Sequence, residues 1–462
     1  MRPNVLLILA DQFRADAIGC VGGYARTPAL DALARRGCLF ERAYANAPEC
    51  IPSRISLATG FYPHQFGVQK NVDCNLRADF PTWMRAFREA GYRTSFFGKS
   101  HYNPQGTDLR GHNHAMHACG FDEVDEITGP RGLMTTSCRL TDLWEERGVW
   151  DAYRSDFADR FAKKAHVARP SPLPFDLYYD VYVGQRALEH LRRQKADAPW
   201  FCCVSFAGPH EPWDAPEPFA SALAPSAMPR PRPRSFAAPG SLVEAQFQSP
   251  QFSPPLTSDD IAQLRANYAG SVMLIDEQIS QLVQALAQRD QLAETLVVFT
   301  SDHGEMNGDH GLVYKSNFLE PSINIPLLVA PTAKAARPAQ RCDALVALMD
   351  VGPTLLDYAG LPIATPTQAQ SIRPLIEHDD SPGRDMLLIE YDGHACAVTR
   401  DLKLEIDASG EPVLAIDRQD VDEQRNVVRE ASYAVPIEQQ RARMMEFIAS
   451  LPAVPAVTLT QA

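Results

Sequence analysis

Four apolar, β-rich runs in this chain stop abruptly at residues that can do chemistry. "NVLLILA" ends at Asp11 and Gln12, "YRTSFFG" at Lys99 and His101, "WFCCVSFAG" at His210, and "TLVVFTS" at Asp302 and His303. Asp11-Gln12 and Asp302-His303 together offer carboxylate and amide oxygens and an imidazole nitrogen, a donor set that suits Ca²⁺, Mg²⁺ or Mn²⁺ better than structural zinc. Either pair alone is equally well read as a cap on the turn that follows; on one sheet edge the two favour a metal. A fifth stretch, "APECIPSRISLATG", places Cys50 just where a helix is expected to begin, with Pro52 in its first turn. Backbone N–H groups at such a position attract an anion and lower a thiol's pKa. Arg54 has the fork geometry for the oxygens of a tetrahedral ester group. A thiolate phosphatase loop would need a longer, glycine-bearing interval than the three residues between Cys50 and Arg54.

Strands that alternate with helical patterns imply parallel βαβ units, so the expected fold class is α/β with a large, mostly parallel sheet sandwiched by helices. Ligands in such sheets bind beyond the carboxyl ends of the strands, where all four polar clusters fall. "TPALDALARRG" predicts a helix with Thr27 as cap, Pro28 at its first position and Gly37 as its stop. Twelve prolines between Pro209 and Pro255 predict a long excursion over residues 209–256 that packs near the site. A long helix follows, with Ser258 as cap and apolar residues every three or four positions from Ile261 to Leu286. "ALVALMDVGPTLLDYAG" predicts another helix. We place a catalytic domain at 1–375 and a smaller α+β subdomain at 376–462, with a short antiparallel sheet near 386–416 and a closing helix near 436–450.

Composition narrows the partners. The 462 residues carry 57 acidic and 44 basic side chains, a formal charge of −13, which argues against a surface built for nucleic acid or an anionic membrane. The seven-residue run near the start is far shorter than a bilayer span, and a polar "DQFRAD" follows it rather than a signal-peptide cleavage site, so a soluble, cytoplasmic protein is expected. Ten cysteines without a repeated CxxC spacing read as reduced, buried thiols rather than a disulfide framework.

"CIPSRISLATG" resembles the signature of the type I, formylglycine-dependent sulfatases of the alkaline phosphatase superfamily. The similarity extends to "NVLLILADQ", "TPALDALARRG", "GYRTSFFGKSH", "PHEPW", "SDHGEMNGDHG" with the following "YK", and "LMDVGPTLLDYAG", covering residues 4 to 376 in order. It implies an alkaline phosphatase/sulfatase-like fold and a sulfuric ester hydrolase acting on a small-molecule sulfate ester. It also implies that a separate maturation enzyme oxidises Cys50 to formylglycine. The hydrated aldehyde would attack sulfur through one hydroxyl and expel sulfate with the help of the other. By the same resemblance Asp11, Gln12, Asp302 and His303, with the modified Cys50, hold one divalent cation. Arg54 holds the nucleophile and metal environment, Lys99 and Lys315 bind sulfate oxygens, His101 is the base of the elimination step, and His210 serves the leaving oxygen.

Gln12 and His303 stand where many sulfatases carry aspartate and asparagine. One charge fewer and one nitrogen more shift the preference toward Mn²⁺ relative to Ca²⁺. The same pair occurs in bacterial relatives that include phosphonate monoester hydrolases and choline sulfatases, and the former make phosphonate hydrolysis the rival reading; Lys99, His101 and the tripeptide after Cys50 favour sulfate. Asn71 either reaches the pocket or belongs to a surface loop. His112, His114, His117 and Cys119 match no zinc module and predict a loop at the rim, and His310 predicts a capping or packing role. Trp83, Trp213 and Tyr102 are candidates to stack on a ring or to surround a choline headgroup, or else core. A homo-oligomer would use the proline-rich excursion or the C-terminal helix.

Overall fold

The computed structural model describes residues 2–71, 76, 80–104, 106, 108–111, 113–163, 167–195, 197–363, 367–378 and 383–454. Eight strands form the main sheet: β1 (Asn4–Ala10), β2 (Cys38–Tyr44), β3 (Arg93–Lys99), β4 (Glu123–Ile127), β5 (Trp200–Ser205), β6 (Thr295–Ser301), β7 (Leu327–Ala330) and β8 (Gln340–Ala347). Their order is β4-β3-β5-β1-β6-β7-β2-β8. All neighbours are parallel except β7, which runs against both β6 and β2. The mostly parallel sheet is therefore as expected, with one reversed strand.

Period-two alternation in the central strands builds the layers. Leu6 and Ile8 of β1, Cys202 and Val204 of β5, and Val297 and Phe299 of β6 enter one core, shared with α3 (Tyr179–Arg193) and α4 (Ser258–Gln288). Val5, Leu7, Phe201, Cys203, Leu296 and Val298 enter the other, shared with α2 (Cys50–Thr59). A strand buried on both faces has no place for a charge except at its ends. That is why chemistry concentrates there.

Several local expectations are revised. The helix α1 (Pro28–Arg36) forms, but the Thr27 hydroxyl does not cap it: it accepts from the Gly19 N–H at 2.8 Å and donates to Asp31. Gly37 is present for close approach, since a Cβ there would lie 2.0 Å from the Val329 carbonyl oxygen. Thr257, not Ser258, caps α4, in a reciprocal box with Asp260. "ALVA" is the end of β8 rather than helix, and the helix after it covers only Val351–Tyr358. Residues 113–119 are helical rather than a loop, with Cys119 buried; His112 lies outside the described residues.

A second sheet, in the order β12-β11-β10-β9, is antiparallel throughout: β9 (Leu387–Tyr391), β10 (His394–Val398), β11 (Leu402–Ile406) and β12 (Pro412–Asp417). The helix α5 (Ala434–Ser450) closes it, and Met444 joins Leu388, Cys396 and Tyr44 in a core shared with the main body. Residues 209–256 carry two short helical turns, Pro225–Ala227 and Leu242–Phe247, and pack onto the body: Gln246 donates to the Lys315 and Ser316 carbonyls. The nine described cysteines are all free, seven of them buried; Cys74 lies outside the described residues. Among the described residues no helix is long and apolar enough to cross a membrane.

Candidate active site

The adjacent ends of β5, β1 and β6 are lashed together by their backbones. Asp11 N–H donates to the Gly208 carbonyl at 3.0 Å, and Asp302 N–H to the Ala10 carbonyl at 3.3 Å. This brings Asp11 and Asp302, both fully buried, to one point beyond the sheet. Above them stands α2, whose ten residues are all buried and which closes at Gly60 in the left-handed conformation (φ 75°). A Cβ on Gly60 would meet the Thr367 hydroxyl at 2.3 Å, so only glycine ends the helix here. Cys50 is the first residue of α2. Its Sγ lies 3.1 Å from His303 Nε2, 3.6 Å from Asp11 Oδ1, 3.7 Å from Lys315 Nζ and 3.9 Å from Lys99 Nζ.

Arg54, one helical turn on, faces inward and is 1% exposed. Nε donates to Asp302 Oδ2 at 2.7 Å, Nη2 to Asp11 Oδ2 at 2.9 Å, and Nη1 to the Lys99 carbonyl and Ser205 Oγ. The fork is thus occupied by the two carboxylates and is not available to an ester; Arg54 acts by positioning. Lys99 Nζ reaches Asp11 Oδ2 at 2.5 Å. Lys315 donates to the Gln12 amide oxygen, and Gln12 in turn donates to Glu211 and Glu305. Those two carboxylates fix which way the Gln12 amide points, a role the sequence reading missed although both residues sit inside the quoted "PHEPW" and "SDHGEMNGDHG". Several of these residues have left-handed backbone: Gln12 (φ 66°), His101 (φ 60°), and Tyr314 and Ser316 on either side of Lys315 (φ 71° and 72°). Such conformations are unusual outside glycine and concentrate at functional sites.

Charge tunes the site. Burial pushes the Cys50 thiol up, but Lys315, Lys99 and His303 outweigh it and hold it well below the ordinary cysteine value. Burial and the Asp11 charge push Asp302 up, more than His303 and Arg54 pull it down. Two buried carboxylates that resist joint ionisation form a donor set that a cation would stabilise. His303 Nδ1 lies 2.9 Å from the Gly304 carbonyl, which aims Nε2 at Cys50 and the two aspartates. Burial lowers its pKa, but Asp302 and Cys50 raise it to about 9, and a bound cation would replace that proton. One ligand atom from each of Asp11, Cys50, Asp302 and His303 lies within 4.8 Å of the others. The residues fit a divalent cation.

His101 lies against Cys50, and its buried Nδ1 has no partner among the described residues. Burial and Lys99 lower it to about 4, so the ring is neutral near pH 7 and able to accept a proton. His210 is 7% exposed, and its Nδ1 is 2.7 Å from the Glu211 carbonyl, leaving Nε2 for another partner. Asn71 is exposed, and its side-chain oxygen accepts from the Ile51 N–H at 2.9 Å; it satisfies the start of α2 beside Cys50. Trp83 is core, packed on Phe87 and Phe201, and Trp213 is stacked on Tyr314 at 5.6 Å with 1% exposure. Tyr102 is also buried, so these three do not form an open cage. His310 packs against Phe236, 5.9 Å between ring centres.

The chain is similar to known proteins over most of its length. Residues 3–361 match the Sulfatase family profile. An arylsulfatase of Clostridium perfringens is 28% identical over 96% of this chain and 93% of its own length, and a choline-sulfatase of Rhizobium meliloti is 27% identical over 85% and 75%. Among solved structures, the phosphonate monoester hydrolase of Agrobacterium radiobacter superposes with a TM-score of 0.81 at 26% identity, covering 97% of this chain and 96% of that one. With the profile spanning most of its length, and with the metal-type cluster and paired lysines gathered around Cys50, the chain belongs to the sulfatase family, within the alkaline phosphatase superfamily.

Proposed function

We propose that this protein hydrolyses a sulfate ester of a small molecule at formylglycine made from Cys50 by a maturation enzyme. The observation that carries this reading is the convergence of two lysine ammonium groups, one imidazole and one carboxylate within 4 Å of a single sulfur at a helix start. Asp11, Gln12, Asp302 and His303, together with residue 50, would hold a divalent cation (Ca²⁺, Mn²⁺ or Mg²⁺), which supplies Lewis acidity to a hydroxyl and to ester oxygens. Formylglycine supplies, as its hydrate, one hydroxyl for attack and a second for release of sulfate.

The chain's own residues do the rest. Lys99 and Lys315 bind the sulfate oxygens in a site closed to bulk water, where fixed cations stabilise developing charge most. Neutral His101 takes the proton from the second hydroxyl of residue 50. His210 Nε2 faces the leaving-group oxygen, oriented through Nδ1 by the Glu211 carbonyl. Arg54 holds Asp11 and Asp302 in register, and Asn71 holds the start of α2. Free cysteines suit a reducing compartment, and we place the protein in the cytoplasm.

The rival reading, phosphonate monoester or phosphodiester hydrolysis, draws on the likeness to the phosphonate monoester hydrolase. A sulfate offers three terminal oxygens where a phosphonate ester has two and a carbon, and cationic groups gathered around Cys50 favour the former. The test is turnover of an aryl sulfate beside a phenyl phosphonate ester by protein produced with the maturation enzyme, together with the peptide mass at residue 50. Preference for the phosphonate, or an unmodified thiol in active protein, would overturn the reading.

A further inference from the structure

At the opposite end of the main sheet, before the start of β6 and after the end of β7, lies a cleft of about 700 Å³. Parallel β6 separates it from the site at Asp302 by seven residues of strand, about 20 Å. Three arginines line it: Arg35 and Arg36 from the last turn of α1, and Arg337 from the segment between β7 and β8. Leu292 and Pro331 form an apolar part of its lining, and Asp290 is the one carboxylate among the described lining residues. None of the three guanidinium groups makes an ion pair among the described residues, although the chain as a whole carries a charge of −13. Among the described residues Arg36 Nη2 donates to the Leu292 carbonyl at 3.3 Å and Nη1 has no hydrogen-bond partner.

Three guanidinium groups that line one cleft without an ion pair leave hydrogen-bonding capacity for what enters it, and in an acidic protein a carboxylate partner would have been easy to supply. The cleft volume falls within the range of small-molecule sites, and paired arginine forks match the oxygens of carboxylate, phosphate or sulfate. We propose that this cleft is a second ligand site, separate from the catalytic one, for a small organic oxyanion with an apolar body: the anion on Arg36 and Arg337, the body on Leu292 and Pro331. The inference does not depend on the reaction catalysed at Cys50.

Calorimetric titration of the full-length protein with hexanoate and, separately, with inorganic phosphate tests it. The expected result is saturable hexanoate binding that persists in Cys50→Ala and weakens about tenfold or more in Arg36→Gln and in Arg337→Gln. Phosphate binding with the same arginine dependence but no gain from the alkyl chain would show that the anion alone is recognised, and would overturn the apolar half of the proposal. Loss of binding in Cys50→Ala but not in the arginine variants would assign the ligand to the catalytic site and overturn it altogether. So would the absence of saturable binding by either probe. Arg337 is exposed on its segment, so Arg337→Gln decides the matter should Arg36→Gln fail to fold.

Discussion

Two of the buried charge clusters among the described residues differ in what their groups point at, and only one of them converges on a reactive atom. At the junction of the two sheets, Lys403 of β11 pairs with Glu423 and Glu320, while Arg418 binds Glu320 at 2.5 Å and the Tyr44 hydroxyl at 2.7 Å. Lys403 and Glu423 are 2% and 1% exposed, as deeply buried as Arg54 or Lys99. Two cations there meet two carboxylates, and the groups point at one another. At the candidate active site, Lys99, Lys315 and His303 point at the sulfur of Cys50, while Arg54 holds Asp11 and Asp302 and the Gln12 amide holds Glu211 and Glu305. Burial and ionisation are common to both clusters. What distinguishes the cluster at Cys50 is convergence of its cationic groups on one reactive atom rather than on one another.

Cys50→Ala gives the largest break in that comparison. Turnover should fall to background while the melting temperature and circular dichroism stay those of the wild type, since a small buried side chain at a helix start is lost without disturbing Arg54. Activity surviving this change would remove Cys50 from the reaction. Lys99→Ala comes next: loss of one fixed cation should lower kcat/KM by about 10²–10³-fold. A change below about threefold would mean that Lys99 serves Asp11 alone and not the substrate.

Lys403→Met addresses the other cluster. Removing one partner leaves Glu423 and part of Glu320 buried without compensation, which costs about 3–5 kcal/mol of stability. Urea unfolding should show that loss, while kcat/KM of the folded enzyme stays within about twofold of wild type. If activity instead fell as steeply as in Lys99→Ala, the junction would be part of the active site rather than a fastening between sheets.

The two clusters were not equally legible in the sequence. β1 and β6 are isolated apolar runs bounded by polar residues, and both were read to the residue, which put Asp11 and Asp302 on one edge. Lys99 and His210 followed from the same grammar. Lys315 has no such frame: it stands between two left-handed residues in a segment without periodicity, and only the likeness to a known motif pointed to it. Glu211 and Glu305 were overlooked because they touch no reacting group and act through the Gln12 amide. The end of β8 was misread because a short continuous apolar run looks alike in a buried strand and a buried helix, and "LMDVGP" after it continues the pattern. The junction cluster could not be read at all. Tyr44, Glu320, Lys403 and Glu423 lie on four separate segments, and nothing local to any of them announces the others.

The smallest predicted effect is the pH response of the junction. Burial pushes the Glu320 carboxyl up, but Arg418 and Lys403 outweigh it and bring it to about 2, below its ordinary value of 4.5. Between those two values the unfolded chain binds a proton that the native state refuses, so stability must fall as the pH falls through this window. Above the ordinary value the contribution is complete and flat. Melting curves of wild type and Glu320→Gln should therefore be separated by a constant gap near neutrality, and the gap should narrow as the pH falls below about 4.5. Curves that keep the same separation down to about pH 3 would show that Glu320 fastens the sheets by shape and hydrogen bonding rather than by its charge.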